Sequence, residues 1–242
     1  MSPLDRFPLA PSQALPRIIA SSWGSEGTGK SWFWLTAPPP VVVLSLDQGT
    51  EGVVEEFRQA CKDIRVVNYD WAPSAEESFT QEQAIRLRRQ FIDDYQAACA
   101  CARTVVWDKE TDVWNLFRYA EFGAPKADVP KDFDKVNTLM RKYLQLPKKL
   151  TINFGAIQSC KDEWVSQSKK SGARVRAGFS ETPGLLHIDL FHERINGRFF
   201  TTIGKVRGPH AQSLTDQQFE NLDIPTLGMM LFPNADEAIW GV

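Results

Sequence analysis

Short apolar runs alternate with longer segments of mixed polarity along most of this chain. The run from Arg17 to Trp23 is short and apolar enough for a buried strand. Ser31 to Thr36 suits the start of a buried helix, and Pro38 to Pro40 stop it. Val41 to Leu46 is apolar on both faces, the mark of a parallel strand covered on two sides. Residues 51–61 read as a helix and Ile64 to Tyr69 as another strand. A long helix is predicted over 80–102, with Leu87, Phe91, Tyr95 and Ala98 on one face. Thr104 to Asp108 is a strand that ends in an acid. Phe133, Val136, Met140, Tyr143 and Leu144 mark the face of a further helix, and Leu150 to Ile157 the next strand.

Beyond Ile157 the pattern changes. Residues 159–183 are polar and basic without clear periodicity, and a connection of that length is expected to be a mobile functional loop. Leu185 to Arg194 and Arg198 to Val206 flank Asn196-Gly197, a pair that tolerates the positive φ of a tight hairpin turn. A short helix is expected at Asp216 to Asn221. The alternation of strand and helix predicts an α/β fold. Its central sheet is mostly parallel, flanked by helices, and carries a C-terminal antiparallel β-hairpin extension. Residues 1–16, with four prolines, read as an extended arm. Residues 17–210 form the main domain, and 211–242 a tail that packs on the core or on a neighbour.

Composition narrows the function. A chain of 242 residues can bury a core without disulfides. The net charge of −2 leaves any basic surface to be local. The four cysteines form no CxxC pair and the three histidines are scattered, so no zinc ribbon or histidine metal site is expected. No signal architecture is visible, and no stretch approaches the roughly 18 apolar residues of a membrane helix. A cytoplasmic protein without a membrane partner is expected.

Gly24, Ser25, Glu26, Gly27, Thr28, Gly29, Lys30 and Ser31 match G-x-x-x-x-G-K-[ST] between a strand and a helix. Glycines let successive backbone N–H groups curl toward phosphate oxygens, and the helix adds its positive N-terminus. Lys30 would reach the outer phosphates of ATP and Ser31 would ligate Mg²⁺. Asp108, at the end of its strand, is the candidate acid for the Mg²⁺ water shell, and Asp47 is its competitor. Glu51, ranked ahead of Glu110, would orient the attacking water.

Lys169, Lys170, Arg174 and Arg176 concentrate positive charge in the 159–183 segment, where they could neutralise the phosphates of a single strand. Lys205 and Arg207 alternate on a strand and share a face, from which they could meet a nucleotide held by a neighbour.

The order of these parts resembles the RecA-like P-loop ATPases. Within that group it is most similar to the compact phage and prophage proteins of single-strand annealing and recombination. Gly204 to His210 is also similar to a stretch of the KaiC branch. The resemblance implies ATP hydrolysis with Mg²⁺, binding of single-stranded DNA, and a homo-oligomeric ring or filament with ATP between protomers. A single-strand binding protein is a further implied partner. Gln158 would sense the γ-phosphate and relay it to the 159–183 loop, and Lys205 and Arg207 would act in trans. Residues 118–132, with Lys126 and Lys131, would stand where a smaller DNA-facing loop stands, and Phe7 to Ala10 is similar to a Phe-x-x-Ala protomer plug. One departure is plain: RecA has a glutamate two residues after the acid that ends its second strand, and here that place is Gly49. Unless Glu51 substitutes, turnover is slow or ATP is an assembly switch. The sequence alone also admits a helicase or packaging motor, a small-molecule kinase closed by a basic lid, and a nucleotide-binding regulator without turnover.

Overall fold

The computed structural model describes residues 15–60, 62–71, 79–123, 133–166, 169–208 and 211–241. Phe7 to Ala10, Lys126 and Lys131 lie outside that set, and so do the side chains of Glu51, Lys169 and Lys170.

In chain order the first elements are β1 (Ile19–Trp23), α1 (Lys30–Leu35), β2 (Val41–Ser45), α2 (Glu51–Gln59), β3 (Ile64–Asn68), α3 (Gln81–Cys101) and β4 (Thr104–Asp108). Then come α4 (Glu110–Phe122), α5 (Phe133–Gln145), β5 (Asn153–Gln158), β6 (Cys160–Ser166), β7 (Lys169–Arg176) and α6 (Thr182–Leu185). The chain closes with β8 (Ile188–Ile195), β9 (Arg198–Val206), α7 (Ala211–Leu214), β10 (Gln218–Glu220) and α8 (Ile224–Leu231).

The main sheet has eight strands in the order β10-β9-β8-β1-β5-β4-β2-β3. From β3 to β8 every pairing is parallel, and β9 and β10 extend it antiparallel. Alternate residues of each strand serve opposite layers. On β4, Val105 and Trp107 join Phe91, Tyr95, Phe117, Met140 and Leu144 in the core beneath α3, α4 and α5. Val106, between them, joins Phe33, Trp34, Leu227 and Trp240 in the core on the other side. A helix layer thus covers each face, which is what a sheet of doubly apolar strands requires. All β-carbon space at Gly155 is taken by Trp34, whose ring lies 2.4 Å from where that atom would stand. The second core runs on without a break through Leu214, Leu222, Ile224, Leu231 and Trp240. Residues after 210 therefore help to build the domain on its α1 side.

Four local expectations need correction. The 159–183 segment is not an irregular loop: β6 and β7 pair antiparallel as a separate two-stranded ribbon. Asp216 to Asn221 is not helical. Asp216 and Asn221 have φ of 63° and 51°, and the residues between them supply β10, paired to Phe200–Thr202. The fifth strand starts at Asn153, because Leu146–Lys149 form a 3-10 turn. Finally, α4 runs through 110–122: the pattern assigns no element to residues 110–117, and 118–122, expected at the start of the smaller DNA-facing loop, are instead the last turns of this helix. Asn196 and Gly197 do take the positive φ (51° and 83°) that their turn requires.

Candidate active site

The phosphate loop spans Gly24 to Gly29, between the end of β1 and the start of α1. Gly24 is required by space as well as by its φ of 151°: a β-carbon there would stand 2.1 Å from the His192 carbonyl oxygen. Gly29 takes the left-handed conformation (φ 84°) that turns the chain into α1. Lys30 opens that helix buried, and its ammonium donates to the carbonyls of Gly24 (3.0 Å) and Ser25 and to Thr28 Oγ1 (3.3 Å). Burial lowers its pKa, and the nearby Asp108 carboxylate works against that.

Ser31 Oγ donates to Asp108 Oδ2 at 2.8 Å. Asp108 is only 3% exposed. Burial, and then Asp47, push its pKa up to about 6, against the Ser31 bond and the cations Lys109 and Lys30. Asp47 has other partners: Gly49 N–H at 3.1 Å and Lys109 Nζ at 3.1 Å. Of the two candidate acids it is therefore Asp108 that meets Ser31. Lys109 also lies 3.5 Å from Glu26, so one ammonium joins the phosphate loop to the end of β2. Its role was invisible in sequence, since it follows a strand with no pattern of its own. The loop, Ser31, Asp47, Asp108 and Lys109, with Trp32 and Val53, line a cavity of about 450 Å³.

The donor set fits Mg²⁺ delivered with phosphates. A hydroxyl and a carboxylate are hard oxygen ligands, and Mg²⁺ usually keeps several waters and needs few protein ligands.

Glu110 is placed differently from expectation. It is fully buried and accepts hydrogen bonds from Thr182 Oγ1 (2.7 Å), Gln158 Nε2 (2.8 Å) and the Phe179 N–H (3.3 Å). Burial pushes its pKa up to about 7. A carboxylate so engaged, outside the cavity lining, does not fit a water-orienting role. Glu51 starts α2 near the cavity mouth, with Thr50 as N-cap residue. Gln158 is also fully buried. Besides Glu110 it bonds the carbonyls of Ala177 (3.2 Å) and Phe179 (3.4 Å), and its Oε1 accepts from Arg176 at 3.0 Å. Its neighbour Ile157 lines the cavity, so Gln158 ties the end of β5 to the foot of the ribbon one residue away from it.

Both ribbon arginines bond to residues at the base of the ribbon. Arg176 grips Asp189 with two bonds (2.6 and 2.7 Å), reaches Ser21 Oγ at 3.2 Å, and lies over the Trp23 ring at 5.0 Å. Arg174 donates to Ser25 Oγ in the phosphate loop at 2.6 Å. Lys169 and Lys170 begin β7.

Lys205 and Arg207 stand at the opposite end of the parallel strands from the phosphate loop. They flank Val206, which pairs with Ile188 where β8 begins. Lys205 donates to the carbonyls of Pro183 and Leu186, and Arg207 to that of Gly184 at 2.9 Å. Arg17 and Lys148 join them around His187, whose pKa is lowered to about 4 by burial and by these four cations. No carboxylate among the described residues forms an ion pair with any of the four. Arg17 and Lys148 escaped the sequence reading because they come from segments far apart in the chain.

A smaller cavity of about 340 Å³ adjoins the loop, lined by Gly29, Trp32, His192, Phe199, Asn221 and Leu222 among others. Its aromatic lining was also not foreseen, since it is assembled from α1 and the β8–β9 hairpin.

The fold has a solved counterpart. A crystal structure of the RadB recombinase superposes with a TM-score of 0.52 at 12% identity, covering 84% of this chain and 86% of that one. The fold is thus RecA-like. No protein-family model matches the sequence, and no curated protein does.

Proposed function

We propose that this chain is an ATP-hydrolysing RecA-like protein that binds single-stranded DNA and assists phage-type recombination or strand annealing in the cytoplasm. The observation that carries it is the bonded path from the nucleotide cavity to the basic ribbon, through Ile157, Gln158, Arg176 and Glu110. The loop amides and Lys30 hold the phosphates. Ser31 and Asp108 hold Mg²⁺, which when bound neutralises charge on the outer phosphates. Glu51, the first residue of α2, is the acid assigned to orient water. Lys169 and Lys170, at the start of β7, are the cations assigned to a DNA backbone, and a single-strand binding protein is a natural partner on that substrate. The named recombinase neighbour supports the same direction.

Lys205 and Arg207 lie too far from their own phosphate loop, across the sheet, to serve it. In a head-to-tail homo-oligomer they meet the next protomer's nucleotide, which places ATP between protomers.

The test is single-stranded DNA binding by fluorescence anisotropy with and without ATP and Mg²⁺. Binding is expected to require ATP and to weaken steeply between about 50 and about 200 mM salt. Equal affinity of the nucleotide-free and ATP-bound protein would remove the coupling.

The placement of Glu110 also favours a second reading, a nucleotide-dependent regulator with little turnover. Hydrolysis that DNA fails to stimulate would select it.

A further inference from the structure

Arg174 is exposed, yet its guanidinium turns to the phosphate loop. Its NH1 group donates to Ser25 Oγ at 2.6 Å and lies 3.5 Å from Cys160 Sγ. Arg174, Ser25, Glu26 and Cys160 border a cavity of about 680 Å³ between the loop and the ribbon. The ribbon's register explains the aim. Residues 174 and 176 leave the same face of β7, with Asp162 and Cys160 opposite them on β6. Arg176 is clamped to Asp189 and Gln158, so the foot of the ribbon is fixed with this face toward β1 and the loop that follows it.

Ser25 is the second residue of a loop whose backbone would enclose the outer phosphates. A serine hydroxyl is a neutral partner for a guanidinium. A terminal phosphate is charged and matches the planar fork, and such charge-assisted bonds are roughly twice as strong. A triphosphate in the loop therefore competes with Ser25 for Arg174 on favourable terms.

We propose that Arg174 acts in cis on the terminal phosphate of the nucleotide held by its own phosphate loop, so that nucleotide and not DNA is its ligand. The inference rests on the phosphate-loop reading above. Because Arg174 belongs to β7, its transfer from Ser25 to phosphate makes the ribbon sense a triphosphate and ignore a diphosphate. During hydrolysis water oxygen bonds to the γ-phosphorus, the bond to the bridging oxygen breaks, and ADP and inorganic phosphate leave with the water's protons. Arg174 transfers no atom and stabilises the charge of the migrating group.

The test compares ADP with a non-hydrolysable ATP analogue by calorimetric titration of wild type, Arg174→Ala and Arg174→Lys. Arg174→Ala should bind the triphosphate roughly tenfold more weakly, the loss of one charged hydrogen bond, and ADP about as wild type does. Arg174→Lys should fall between, and the salt dependence of DNA binding should stay unchanged. Unchanged affinity for both nucleotides in Arg174→Ala would overturn the proposal. An equal loss for both would also overturn it, marking a prop for the loop. A DNA salt slope reduced by about one would reassign Arg174 to a DNA phosphate. A wild type that binds neither nucleotide would instead remove the phosphate-loop reading, and this proposal with it.

Discussion

Asp108 and Asp47 both follow apolar strands, and only their partners separate them. Ser31 bonds Asp108, while Lys109 holds Asp47. The sequence already ranks Asp108 ahead of Asp47, because it ends an apolar strand, but the bond to Ser31 that separates them depends on how the strands are ordered beside α1. Asp108→Asn keeps the bond to Ser31 and removes the charge. It should cut Mg²⁺-dependent hydrolysis roughly 10–100-fold, the usual effect of a partner in the outer shell of a metal, as measured by phosphate release across an Mg²⁺ titration. Full activity would place the Mg²⁺ acid elsewhere. His192 makes a second test at this scale. It is buried with Nδ1 on Thr201 Oγ1, and its Nε2 has no partner among the described residues. Burial, with Lys30 nearby, lowers its pKa to about 3. The unfolded chain therefore takes up a proton near pH 6.5 that the folded chain refuses. The stability from a neutral His192 is complete above pH 6.5 and is lost as pH falls from there toward 3. His192→Phe removes this loss. Its unfolding free energy relative to wild type should rise by up to about 1.4 kcal/mol per pH unit from pH 6.5 down to about 4. A gap in urea denaturation that stays constant with pH would contradict the burial argument.

Elements with strong periodicity were legible, and those whose order comes from tertiary contacts were not. The face of α3 and the Asn196-Gly197 turn follow from local chemistry alone. The β6–β7 ribbon stands apart from the main sheet as a separate two-stranded unit. It is held by Arg176 on Asp189, a pair only 14% and 17% exposed, and no alternation of apolar residues announces it. By contrast α4 carried a readable signal, with acids in its first turn, Val113, Leu116, Phe117 and Ala120 on one face, and Gly123 at its end. At this scale Asp189→Ala leaves the Arg176 guanidinium without its carboxylate in a half-dry site. The loss should be about 3 kcal/mol of stability, with faster proteolytic cleavage in the ribbon than in the main sheet. Cleavage at the wild-type rate would show that Gln158 and Ser21 suffice to hold it.

For the whole molecule, the parallel sheet sets a polarity. The phosphate loop, Glu26, Asp47 and the start of α2 lie at the carboxyl ends of the strands. Arg17, Lys148, Lys205 and Arg207 gather at the other end. A domain with cations at one end and the proposed nucleotide cavity at the other would suit head-to-tail contact, which closes into rings or runs on as filaments. The motif order already implied this arrangement. The addition of Arg17 and Lys148 needed the fold, since only the sheet brings β1, β5, β8 and β9 side by side. Mixing Lys30→Ala protomers with Lys205→Ala/Arg207→Ala protomers should restore part of the ATPase activity that each lacks alone, because a mixed junction can pair an intact loop with intact cations. Mixtures as inactive as either parent would place these cations outside the nucleotide site.

The most direct test is ATP hydrolysis with and without single-stranded DNA for wild type and Lys30→Ala side by side. Turnover is expected to be stimulated by DNA and to disappear in Lys30→Ala. A rate indifferent to DNA, or one that survives the loss of the Lys30 ammonium, would contradict a DNA-coupled ATPase.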